Sequence, residues 1–225
     1  MLQKVIASQA HWLAKKLDYG KSEEEIFNYS LNLVFSTILS YGILTLAAGL
    51  LGVLPTALAA ALSASALRIF SGGAHASRLS RCVGLGAVVF IAIGWLAAGG
   101  VPVLEKTPYL EVSASQTRVI LIMIVAIGTG IIYFYAPAPA PGKPKQSYLQ
   151  GVVMKSCSLV LLWWWGGTVW LVNSWQWGME HQELLLASQL GIAWQLMSLT
   201  PLGFGLLRGS EKILDLVFPA KEEKL

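Results

Sequence analysis

Long apolar runs, each close to the length that crosses a bilayer and each bounded by short polar intervals, constrain this chain more than any other feature. A helix needs about 20 predominantly apolar residues to span the hydrocarbon core. Runs of this kind lie at 31–51, 56–70, 82–104, 118–135, 156–172 and 184–207. They predict an all-α, polytopic membrane protein of about six transmembrane helices, because only helices or closed barrels satisfy their backbone inside lipid. With 55% hydrophobic and 12% charged residues and a mean hydropathy of +0.62, the chain has too few charges to cover a soluble surface. No internal repeat is visible, and 1–225 reads as one domain.

The N-terminal 30 residues read as an amphipathic region. Val5, Ile6, Trp12, Leu13 and Leu17 alternate with Gln9, Lys15, Lys16 and Asp18 at helical spacing, which suits a helix lying on the membrane surface. The stretch lacks the apolar core of a cleavable signal peptide. Ser22-Glu23-Glu24-Glu25 then predicts a capping box opening the next helix. The second run is short and rich in Ala and Ser, so it suits close helix packing and self-association into a homodimer. After the fourth run, Ala-Pro-Ala-Pro-Ala-Pro-Gly-Lys-Pro-Lys predicts a semi-rigid, polyproline-like connection.

The net charge of +4 does not indicate nucleic acid, because the basic residues sit in short loops between apolar runs, where they orient a membrane protein. Of 16 Lys and Arg residues, only Lys106 and Arg118 fall outside if both termini are placed in the cytoplasm. Trp170, Trp175 and Trp177 then fit an aromatic belt at the outer interface. Lipids are therefore expected partners. Two cysteines, one at a loop edge and one within an apolar run, make no disulfide framework, and no clustered ligands suggest a metal or another cofactor.

The interval from Arg68 to Cys82 is the polar stretch that holds both a nucleophile and a base. Cysteine attacks as a thiolate, a form favoured by a helix start and by nearby cations such as Arg78 and Arg81. His75 titrates near neutrality and can later protonate a leaving amine. In one continuous helix, seven residues would separate His75 from Cys82 by about 10 Å along the axis, so the chain must bend between them. Gly72 and Gly73 permit unusual backbone angles just before His75, and their amides are candidate oxyanion donors. Arg68 reads equally as a support for a substrate carboxylate or oxyanion and as a lipid-phosphate contact.

The pattern Arg68-x-x-x-Gly72-Gly73-x-His75-Ala76-x-x-x-x-x-Cys82 resembles the signature of the accessory gene regulator B (AgrB) family. The resemblance extends to Glu24-Glu25 with Tyr29, to Tyr135-Ala136-Pro137-Ala138 before Lys143-Pro144, and to Gln195 with Leu199-Thr200-Pro201. It implies a membrane cysteine peptidase for quorum sensing. In that chemistry Cys82 cleaves an AgrD-like precursor peptide with His75 as base, and the resulting thioester closes into a thiolactone or lactone autoinducing peptide. Arg68, Gly72 and Gly73 would support the site. Glu24, Glu25 and Arg78 are further candidates for substrate contact, and Lys143, Lys145 and Lys155 would gather an acidic precursor tail. Two positions depart from the family pattern: Ser30 stands where glycine is common after Tyr29, and Ala-Pro-Ala-Pro replaces a more polar run after Pro137. The competing reading from a different class is a small transporter or exporter with Arg68 and His75 lining its pathway.

Overall fold

The computed structural model describes residues 2–74, 79–99, 113–138, 147–175 and 181–217. Among them are eight helices: α1 (Leu2–Lys16), α2 (Lys21–Leu50), α3 (Leu54–Ser71), α4 (Leu79–Ala97), α5 (Ala114–Tyr135), α6 (Tyr148–Val172), α7 (Gln182–Leu199) and α8 (Pro201–Val217). No strand occurs among the described residues. The all-α expectation therefore holds.

α2, α3, α5 and α6 are long and apolar enough to cross a membrane, α4 is a shorter apolar helix, and α7 with α8 makes a fifth candidate only as a broken pair. The outward faces are those of a protein in lipid: Leu50 is 88% exposed, Phe134 77% and Trp164 70%. The chain is a membrane protein.

The uninterrupted span expected over 184–207 is corrected by the fold. α7 ends at Leu199, Thr200 is extended (φ −86°, ψ 161°), and α8 leaves at 89° to α7. Pro201 is the cause, since its ring excludes the preceding residue from helical angles and it has no N–H to continue the ladder. The expected capping box at Ser22–Glu25 is corrected too. α1 closes with Asp18 in the left-handed region (φ 56°), Asp18 N–H bonded to Lys15 O and Tyr19 N–H to Ala14 O, a Schellman-type ending. Gly20 follows as the N-cap, and the helix already begins at Lys21.

α3 is the spine. Its buried face, Ala57, Ala60, Ala61 and Ala64, carries almost no side-chain bulk, so neighbours approach to backbone distance. A Cβ on Gly191 of α7 would sit 2.2 Å from Ala60 O, and one on Gly94 of α4 would sit 2.7 Å from Ala57 N. Hydroxyls pin the same contacts: Ser63 and Ser188 lie 2.7 Å apart, Trp165 of α6 donates to Ser188, and Tyr41 of α2 donates to Ser65. At one end of the bundle, Thr117, Gln182 and Asn173 link α5, α7 and the end of α6 through bonds of 2.7 and 2.8 Å. Trp170 lies there under Arg118, and Trp175 is exposed nearby.

The other end collects the start of α2, the end of α3, the starts of α4 and α6, and the ends of α5 and α7. α1 folds back onto α2, burying Ile6, Ala10 and Ala14, while His11 Nδ1 lies 3.1 Å from Glu24 Oε1.

Candidate active site

The interval singled out in the sequence begins where α3 stops. Gly72 caps the helix at φ 70°, ψ −147°, its N–H still bonded to Arg68 O at 2.9 Å, and Gly73 follows at φ 143°. Both angles favour glycine. Space enforces the same choice: a Cβ on Gly72 would lie 2.6 Å from Ala138 O, and one on Gly73 would lie 2.8 Å from Ser198 Oγ.

Three neighbours hold this turn. Ala138, just beyond α5, donates its N–H to Ser71 O at 2.8 Å, so the described start of the Ala-Pro connection, with its cis Ala136–Pro137 bond, is tied to α3. Ala74 donates to Ser198 O of α7 at 3.1 Å. Gln195, 1% exposed, donates from Nε2 to Gly72 O at 2.7 Å and to Ser71 Oγ at 3.1 Å. Its Oε1 accepts from Arg68 Nη1 at 3.2 Å and from Ser198 Oγ at 3.3 Å. The amide thus fills both donor and both acceptor positions.

Arg68 stands half-buried in the last turn of α3, where a cation is favoured by the helix dipole. Besides Gln195, its guanidinium donates through Nη2 to Ala74 O. Arg68 therefore binds the turn that follows its own helix. Among the described residues, Cys82 of α4 and Tyr29 of α2 are the ionisable groups that act on its charge. Cys82 is half-buried in the first turn of α4, within reach of that helix's positive end.

Arg81, the cation expected beside Cys82, binds Asp215 of α8 with its guanidinium. Of the three turn amides, those of Gly72 and Ala74 are committed, and among the described residues Gly73 N–H has no partner. A cavity of about 400 Å³ adjoins the turn, lined by Tyr135, Ala138, Leu199, Phe204 and Arg208.

The other candidates are spread. His75, Arg78, Lys143 and Lys145 lie outside the described residues. Glu24 engages His11, Glu25 is exposed on α2, and Lys155 Nζ donates to Tyr133 O at 2.8 Å and covers the Tyr133 ring. Cys157 is only partly buried on α6. Among the described residues no group of three His, Cys, Asp or Glu side chains forms a metal cluster. Gln195 and Ser198 are the neighbours of the turn that residue-level reading missed. The signal was present, since a glutamine in an apolar run needs an internal partner for its amide.

No curated protein matches the chain, and no solved structure does. The family model for accessory gene regulator B matches residues 6–199, which takes in the whole of the turn, the residues Ala138, Gln195 and Ser198 that hold it, and Cys82. The chain belongs to the accessory gene regulator B family, whose members process the AgrD quorum-sensing peptide.

Proposed function

We propose that this protein is a membrane-embedded cysteine endopeptidase that cuts an AgrD-like precursor and hands the product on for cyclisation. The observation that supports the reading best is the Gly72–Gly73 turn at the end of α3, held by Arg68 through Ala74 O and by Gln195 through Gly72 O, with Cys82 following in the first turn of α4. A thiolate, a cation and a fixed amide donor are what acyl transfer from a peptide bond requires.

In the proposed sequence the Cys82 thiolate attacks the scissile carbonyl carbon. The developing oxyanion is met by Gly73 N–H and by Arg68. His75, next in sequence after the anchored Ala74, protonates the departing amine as the C–N bond breaks. The N-terminal part of the precursor remains as a thioester on Cys82. A cysteine or serine within it then attacks that thioester, giving up its proton to the neutral imidazole, and the ring closes as Cys82 leaves as thiolate.

Lys21 and Arg81 stand in the first turns of α2 and α4, and Arg208 lines the cavity beside the turn, which under the positive-inside rule supports a cytoplasmic position for this end. An amphipathic precursor on the inner leaflet would be concentrated there. Lys143 and Lys145 are retained as candidates for gathering its acidic tail, whereas the Lys155 ammonium is held at Tyr133.

Co-expression with a precursor tests the proposal. Cys82→Ala and Cys82→Ser are expected to abolish cleavage while the protein still accumulates in the membrane. A transporter with Arg68 on its pathway would tolerate alanine at position 82, so retained cleavage or unchanged peptide output in that variant would refute the peptidase.

A further inference from the structure

We infer that Gln195 is a positioning residue of this site: from α7 it fixes both the guanidinium of Arg68 and the backbone of Gly72, so that Cys82 faces a cation and an amide donor already in place. The inference rests on the peptidase reading for its purpose, though its geometry does not.

Among the described residues, Gln195 is the one side chain that binds Arg68, Ser71 and the Gly72 carbonyl together. Arg68 reaches back to Ala74 O from the other side, and Ser198, one turn further along α7, ties down Ala74 N–H and touches Gln195 Oε1. A flexible arginine is thereby confined to one arrangement, and the φ of 143° at Gly73 is held on both flanks. Preorganisation of this kind is how a polar site contributes to a transition state without reorganising during reaction. An apolar side chain at position 195 would leave the Gly72 carbonyl and the inner guanidinium nitrogen unpaired, and Arg68 would turn toward lipid phosphate or water. The other titratable or charged groups at this end among the described residues include Tyr29 of α2, Arg81 of α4, Tyr135 of α5 and Arg208 of α8, and Arg81 is occupied by Asp215.

The test needs no precursor. In full-length protein carrying Cys157→Ala and reconstituted in lipid nanodiscs, iodoacetamide reads Cys82 alone, and its rate is measured at neutral pH. Arg68→Met is expected to slow alkylation about tenfold. Gln195→Met is expected to slow it likewise, with no further change in the double variant. Gln195→Asn, which keeps an amide one methylene short, is expected to slow it less. Ser188→Ala removes different side-chain bonds of α7 and is expected to lower thermal stability while leaving the alkylation rate in place. A Gln195→Met rate equal to the parent's, or effects that add in the double variant, would overturn the inference. Because alkylation is independent of cleavage, a Cys82→Ala protein that still cuts its peptide would remove the proposed function and leave this result standing.

Discussion

At Gly73 a side chain is excluded twice over, by a φ of 143° and by the Ser198 hydroxyl 2.8 Å from where a Cβ would stand. Gly73→Ala is therefore expected to cost about 1–3 kcal/mol, and to lower cleavage well beyond any loss of folded protein, because the strain falls on the amide donor itself. Thermal unfolding in detergent and cleavage per folded molecule, measured on one preparation, check it; normal cleavage would remove Gly73 N–H from the mechanism. The two glycines were legible as sites of unusual backbone, and Arg68 and Cys82 were singled out through family resemblance. Gln195 carried only a family likeness and the general demand of an amide in an apolar run. Its contact with Gly72 O depends on the register of α3 against α7, which residues 127 positions apart from Arg68 do not reveal locally.

Between elements, the closest approaches decide what the bundle tolerates. Gly191 lies against the Ala60 carbonyl, so Gly191→Val must force α3 and α7 apart. The expected result is a loss of about 3 kcal/mol or more of stability together with a weakened Gln195–Arg68 contact, read as a lower unfolding temperature and slower Cys82 alkylation. A variant with wild-type values on both would contradict the packing described.

Hydropathy showed α2, α3, α5 and α6 clearly, since a window of apolar residues measures span length directly. It failed at 184–207 because Thr200 and Pro201 hardly change a mean, yet they turn the chain by 89°. Helix starts were legible in principle but misplaced: Ser113 with Gln116 and Ser147 with Gln150 form the capping boxes, whereas at Ser22 the preceding Schellman turn hands the N-cap to Gly20.

Across the whole molecule, the start of α2, the Gly72–Gly73 turn, Cys82 and α8 share one end, and Asn173 and the start of α5 share the other. Arg81 paired with Asp215 ties α8 across the start of α4, and the apolar faces of α8, Leu202, Leu206 and Ile213, are exposed as for a helix lying in an interface. In a cysteine-free background on intact cells, a membrane-impermeant maleimide is expected to label Ser174→Cys and to spare Lys21→Cys and Ser210→Cys. Labelling of Lys21→Cys and Ser210→Cys from opposite faces would break the topology.

Peptidase chemistry at this site turns on the bond that Cys82 would make. Mass spectrometry of the purified protein quenched in acid during turnover of a precursor measures that bond directly. The expected result is an adduct on the Cys82 peptide with the mass of the precursor's N-terminal part, released by neutral hydroxylamine and absent from Cys82→Ala. Cleaved precursor accumulating with no such adduct, or with the adduct on Cys157, would contradict it.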